Sequence, residues 1–92
     1  MSAAGVQLTI RGMVQGVGYR YWCYRQATEL GVTGWVKNNR DGTVAVMAEG
    51  DRGLLEELIG QLKVGPSHAQ VTDIVVTWTA FTGRYTRFDV SF

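Results

Sequence analysis

The stretch Gly12-Met13-Val14-Gln15-Gly16-Val17-Gly18-Tyr19-Arg20 holds the residues of this sequence best suited to chemistry. Its glycines let the main chain curl until several N–H groups face one concavity, and a helix starting near Tyr19 adds free donors with partial positive charge. Anions fit such a place. The stretch is not a P-loop, because the Lys-Ser/Thr pair is missing, and its glycine spacing departs from the dinucleotide fingerprint. An ordinary tight turn from strand to helix uses the same glycines, so the glycines alone leave both readings open. Arg20 adds a guanidinium. A cation in the first helical turn opposes the helix dipole at a cost of about 0.3–1 kcal/mol. An anion held between Arg20 and the loop reverses that sign, and the planar fork matches two phosphate oxygens at once. An arginine turned sideways toward an Asp or Glu is the alternative.

Other polar candidates carry less. Asn38 precedes a hairpin turn, where asparagine is ordinary turn chemistry, although its amide offers both an acceptor and a donor. His68 is the single histidine and lacks partners for a metal site or a triad. Cys23 shares a helical face with Ala27 and Leu30, which makes it a core thiol. Asp41 reads as a turn residue, and Glu49 and Asp51 as a strand end and a helix cap. No metal and no cofactor are expected.

The elements that must position these residues follow from periodicity. Val6, Leu8 and Ile10 alternate with polar residues in a half-buried strand ending at Arg11. Tyr19, Cys23, Ala27 and Leu30 recur at helical spacing until Gly31 ends the helix. Thr33–Asn39 and Thr43–Glu49 read as two strands around the hairpin signal Arg40-Asp41-Gly42. A second helix follows Asp51, buries Leu54, Leu55, Leu58, Ile59 and Leu62, and stops at Gly65-Pro66. Val71–Thr79 is a fourth strand. Phe88, Val90 and Phe92 alternate in a short last one, and Trp35, Trp78, Phe88 and Phe92 read as core or sheet-face aromatics. Trp22 and Tyr24 are assigned to the outer face of the first helix, without a role. The order predicts an α+β, ferredoxin-like sandwich, βαββαβ plus a short C-terminal strand, with two helices on one face of a mostly antiparallel sheet. In that topology the first two strands run parallel, so the glycine loop and Asn38 meet at one sheet edge.

Ninety-two residues suit one small domain spanning 1–92, and an apolar share of 46% with 18% charged residues describes a globule able to build a core. Nine Lys and Arg against eight Asp and Glu leave a net charge of +1. That balance opposes a nucleic-acid partner held by a broad basic face, while a local anion pocket needs only one or two cations. A single cysteine forms no internal disulfide, no window approaches the length of a membrane span, and the first residues lack signal-peptide character. The expectation is a soluble, cytoplasmic monomer with no membrane partner.

Ile10 through Arg20 resembles the first signature of the acylphosphatases. Gly34-Trp35-Val36-Lys37-Asn38-Asn39-Arg40-Asp41-Gly42-Thr43-Val44, continued by Glu49-Gly50, resembles the second. Gly65-Pro66 with Ala69 and Val71, and Tyr85 with Phe88, fit the C-terminal half, so the resemblance spans nearly the whole chain. It implies a metal-independent hydrolase that splits carboxyl-phosphate mixed anhydrides into a carboxylate and inorganic phosphate. It makes Arg20 the phosphate-binding arginine, Gln15, Gly16, Val17, Gly18 and Tyr19 the backbone cradle, and Asn38 the residue that orients the attacking water. The partner implied is a small acyl phosphate, with phosphate or sulfate as product-like ligand. Tyr19 stands where the family usually has phenylalanine, so its hydroxyl needs a partner or solvent. Since the acyl part points away from an anchored phosphate, little discrimination among acyl groups is expected. Two rival readings remain: an RNA-binding module of the same element order, though the third strand lacks the aromatic RNP pattern, and an accessory acylphosphatase-like module of a larger maturation enzyme.

Overall fold

The computed structural model describes residues 2–92. Its elements are β1 (Ala3–Met13), α1 (Tyr19–Leu30), β2 (Thr33–Asn38), β3 (Val44–Asp51), α2 (Arg52–Val64), β4 (Gln70–Thr79) and β5 (Phe88–Val90). Among the described residues the strands form one sheet of order β4-β1-β3-β2-β5. β3 pairs antiparallel with both β1 and β2, β4 lies antiparallel beside β1, and β5 runs parallel to β2. This is the expected ferredoxin-like sandwich with its added short strand. β1 begins at Ala3 and β3 runs on to Asp51, beyond their expected limits, because the antiparallel ladder between them continues without interruption by a turn.

 

The terminal pair of that ladder is Ala3 with Asp51. β2 is one residue shorter than expected, stopping at Asn38, because Asn39 turns into the hairpin and its N–H donates to the Thr43 carbonyl across the loop (2.9 Å).

The core fills the space between the helices and one sheet face. Val6, Leu8 and Ile10 of β1 and Val44, Val46 and Ala48 of β3 alternate inward and meet Tyr19, Cys23 and Ala27 of α1 and Leu55, Leu58 and Leu62 of α2. Leu54 departs from the expected buried stripe: it is 36% exposed, one position off the face that Leu55, Leu58 and Leu62 define. Trp22 and Tyr24 also depart from expectation, since both are half-buried and pack against the core rim. Asp51 caps α2 as expected, its carboxylate accepting from the Gly53 N–H (3.1 Å), and Gly31 and Gly65 end the two helices.

Two buried polar groups are paired within this packing. The Tyr19 hydroxyl donates to the Leu62 carbonyl (2.7 Å). Leu62 lies in the last turn of α2, and the residue four places on is Pro66, which has no N–H to offer. The tyrosine therefore supplies a donor that phenylalanine could not. Burial raises the Tyr19 phenol well above its ordinary range, with the Cys23 thiol adding to the effect, and burial pushes the Cys23 thiol up to about 12. Cys23 is a core thiol, as expected. Glu49, by contrast, does more than end a strand. It is 1% exposed, and its carboxylate accepts from the Thr82 N–H (3.0 Å), the Thr82 hydroxyl (2.7 Å) and the Gly83 N–H (3.0 Å), which anchors the segment between β4 and β5.

Candidate active site

β1 and β2 run parallel on either side of β3, and their C-terminal ends fall at one edge. Ile10 and Asn38 both pair with Val44, so they occupy the same cross-strand row, two strand spacings (about 10 Å) apart. From that edge β1 passes into the loop that leads to α1. Gly16 (φ 74°) and Gly18 (φ 75°) are both left-handed, a conformation that strains side-chain-bearing residues, and they fold the loop back onto the helix N-terminus. Gly18 caps α1 without any side-chain hydrogen bond, and the first turn holds no acidic residue. The Trp22 N–H donates to the Gly18 carbonyl (3.0 Å), which leaves the amides of Tyr19, Arg20 and Tyr21 ahead of the first helical bond.

A pocket of about 290 Å³ opens at this corner, lined by Gly16, Gly18, Tyr19, Arg20 and Asn38 among others. Five of the seven residues expected from the sequence therefore share one cavity wall. Gln15 and Val17 do not line it. Val17 is half-buried and packs against the core. Gln15 turns the other way: its Nε2 donates to the carbonyls of Asn39 (2.7 Å) and Thr43 (2.8 Å), tying the glycine loop to the β2–β3 hairpin. This clamp was not visible in the sequence, where Gln15 figured only for its backbone.

Asn38 arrives from β2. Gly34 and Val36 face the helices, and Asn38 continues that alternation past the start of α1, where the helix no longer covers the sheet. It is exposed, and its carboxamide has no hydrogen-bond partner within the chain among the described residues. Its neighbour is engaged: Asn39 Nδ2 donates to the Thr43 hydroxyl (2.9 Å), which donates to the Asp41 carboxylate (2.6 Å). Asp41 also accepts from the Thr43 N–H (3.0 Å). These bonds, the hydroxyl one first, hold the Asp41 carboxyl below its ordinary value. Asp41 is thus the expected turn residue, and the hairpin it closes is rigid where Asn38 leaves it.

Arg20 pairs with no carboxylate among the described residues. Instead its Nη1 donates to the Ser91 carbonyl (2.9 Å), and its Cζ lies 4.7 Å from the centre of the Phe92 ring. The Ser91 N–H in turn donates to the Val36 carbonyl of β2 (2.8 Å). One backbone unit therefore joins the guanidinium to the strand that carries Asn38. Phe92 is corrected from a core or sheet-face aromatic to a 99% exposed ring on the pocket wall, beyond the end of β5 at Val90. No sequence signal marks Ser91, because its contribution is made by main-chain atoms.

His68 is exposed in the loop before β4, as expected. Among the described residues no three His, Cys, Asp or Glu side chains converge, and no helix is long and apolar enough to cross a membrane. What the corner offers is a set of amide donors, one guanidinium and one unengaged carboxamide around a space large enough for a phosphoryl group and a substituent.

A family model described as Acylphosphatase matches residues 6–90. The chain is 41% identical over its full length to an acylphosphatase of Pelotomaculum thermopropionicum, the whole of which is covered. It is 45% identical to an acylphosphatase of Caldanaerobacter subterraneus subsp. tengcongensis, over 92% of this chain and 94% of that one. Among solved structures, that of an acylphosphatase from Bacillus subtilis is similar with a TM-score of 0.93 at 35% identity, covering 97% of this chain and 99% of the other.

Proposed function

The chain belongs to the acylphosphatase family and hydrolyses acyl phosphates, and from that premise we propose how its residues divide the reaction. Arg20 and the main-chain amides of Gln15–Tyr19 hold the phosphoryl group, and Asn38 orients the attacking water. The observation that carries this reading is the shared pocket, which joins Gly16, Gly18 and Arg20 of one segment to Asn38 of another strand.

The chemistry needs few groups. The leaving group is a carboxylate, whose conjugate acid has a pKa of about 4, so it departs without a proton donor. Phosphoryl transfer proceeds largely through positioning and charge stabilisation. Loop amides and Arg20 oppose the charge on the equatorial oxygens. The Asn38 carbonyl accepts a hydrogen bond from the water and sets its line of attack on phosphorus. The bond from phosphorus to the acyl oxygen breaks with its electron pair retained by the carboxylate, while the water oxygen bonds to phosphorus. Both water protons end on the phosphate, one passing to a phosphoryl oxygen, so an acyl phosphate dianion and water give a carboxylate and dihydrogen phosphate. No metal is required by this scheme. Arg20 has four further N–H donors beside the one given to Ser91. The Ser91 contact thus holds the guanidinium at the pocket and still leaves donors for the substrate.

We further read residues 1–92 as a single domain acting as a cytoplasmic monomer on a small-molecule substrate, without nucleic-acid or membrane partners. The test is hydrolysis of benzoyl phosphate with EDTA present, in wild type, Arg20→Gln and Asn38→Ala. The wild type is expected to turn over unchanged by EDTA, and each variant to lose at least about 100-fold in kcat while remaining folded. Phosphate should raise the wild-type melting temperature by mass action, and Arg20→Gln should abolish that rise. A rate lost to EDTA rejects the metal-free scheme. Retained phosphate protection in Arg20→Gln rejects the cradle.

A further inference from the structure

Beside Gly16, Gly18, Arg20 and Asn38, the pocket is lined by the apolar side chains of Val14, Val90 and Phe92 and by the ring of Tyr21. Two of these are large rings left open to solvent, Tyr21 at 62% exposure and Phe92 more fully still. Neither ring is loose. Tyr21 stacks on Tyr24, one turn further along α1, with centroids 5.9 Å apart and planes inclined by 28°. Phe92 is held over the Arg20 guanidinium. Large apolar side chains that are both exposed and braced, and that border a polar cleft, are the usual setting for an apolar part of a ligand.

Resting on the phosphate position proposed above, we infer that Tyr21 and Phe92 form an acyl-group subsite that favours aromatic and bulky apolar acyl phosphates over acetyl phosphate. Tyr21 follows Arg20 in the first turn of α1. A substrate with its phosphoryl group on Arg20 and the loop amides has its acyl carbon directed out of the cradle, and the walls it meets are these rings. A phenyl substituent covers ring surface that a methyl group leaves wet, and the gain is present in both the bound substrate and the transition state. The expected signature lies in KM for the aromatic substrate, with kcat for each substrate set by its own leaving group. This selectivity departs from the weak acyl discrimination expected from the sequence, where nothing showed that residue 92 would return to the pocket.

The test compares kcat/KM for benzoyl and acetyl phosphate in wild type, Tyr21→Phe, Tyr21→Ala and Tyr21→Gln. Intrinsic reactivity differs between the two substrates, so the quantity read is the change in their ratio between variants, in which that difference cancels. Tyr21→Phe should keep the wild-type ratio. Tyr21→Ala and Tyr21→Gln should each lower it by about tenfold, mainly through KM for benzoyl phosphate. Phosphate-dependent melting of every variant is measured alongside. A ratio unchanged in Tyr21→Ala and Tyr21→Gln overturns the subsite, and if phosphate still protects these proteins but not Arg20→Gln, the phosphate assignment stands without it. Phosphate protection that survives Arg20→Gln overturns both together.

Discussion

Replacing Gln15 by alanine separates the two parts of the site, because its side chain and its backbone do different work. The amide joins the glycine loop to the hairpin through bonds of 2.7 and 2.8 Å to the Asn39 and Thr43 carbonyls. Both acceptors keep another donor when it is gone: Gly42 N–H reaches the Asn39 carbonyl (3.3 Å) and Asn39 N–H the Thr43 carbonyl. No buried acceptor is orphaned, so the loss is that of two ordinary hydrogen bonds, about 1–3 kcal/mol. For a chain of this size each kcal/mol corresponds to roughly 4–8 °C in Tm, a shift readily seen by calorimetry. The larger effect falls on rate. Asn38 sits next to one of the two tethered residues, and a misplacement of about 1 Å at a reacting group can cost on the order of 100-fold. Gln15→Ala is therefore expected to lower kcat by about 10–100-fold while phosphate affinity, which depends on loop amides and Arg20, stays near wild type. Gln15→Glu should be worse in stability, since it sets a carboxylate against two carbonyl oxygens. Steady-state kinetics and phosphate titration calorimetry make the comparison. Loss of phosphate binding with kcat intact would refute the division of labour between loop and hairpin.

Three further outcomes follow from the buried polar groups. Tyr19→Phe strips the Leu62 carbonyl of its donor where Pro66 has none to give, and should cost about 1–3 kcal/mol in urea unfolding with kcat unaffected. Glu49→Gln turns one acceptor oxygen into a donor set against either the Gly83 N–H or the two Thr82 donors, and should cost about 2–4 kcal/mol. Glu49 lies at the opposite end of β3 from Val44, the partner of Asn38, so benzoyl phosphate turnover of the folded variant should match wild type. Alkali should destabilise the fold in part through Cys23. Its thiol titrates near 9.0 when unfolded and near 12 when folded. The unfolded chain thus releases the proton first, and the stabilising contribution, complete below pH 9.0, falls away as pH rises toward 12. Three units correspond to at most about 4 kcal/mol. Tyr19 acts in the same direction. Cys23→Val should flatten the alkaline limb in denaturant titrations, and an unchanged slope would refute the assignment.

Much of this molecule is legible in its sequence where the chain neighbours supply the cause. Alternation gave β1, helical spacing gave α1 and most of α2, and Arg40-Asp41-Gly42 gave the hairpin, because each is a local pattern answering to a local geometry. The convergence of the glycine loop with Asn38 was also accessible, since parallel β1 and β2 must end together. What stayed hidden depends on contacts between distant segments. Glu49 reads as a strand end until the segment at Thr82 and Gly83 folds over it. Phe92 continues the alternation of Phe88 and Val90, yet β5 ends at Val90 and the chain turns toward Arg20 instead. Leu54 shows the narrower limit of pattern itself: five apolar residues in a helix do not say which of two adjacent leucines the sheet will cover.

The placement of Ser91 explains why an arginine at a helix N-terminus is tolerable before any substrate arrives. The dipole and the free amides of α1 repel a cation there, and no carboxylate of the first turn offsets them. The Ser91 carbonyl supplies a partial negative charge at 2.9 Å, and the face of Phe92 adds its quadrupole at 4.7 Å. Neither partner is an anion. A carboxylate in the same position would hold the guanidinium more strongly, but it would also neutralise the charge that a phosphoryl group must find and would repel the incoming dianion. A carbonyl and a ring restrain Arg20 while leaving its net charge available to the pocket. Because Ser91 is itself bonded to Val36 of β2, the restraint is referred to the strand that carries Asn38, and the two side chains keep their separation even though they come from different segments.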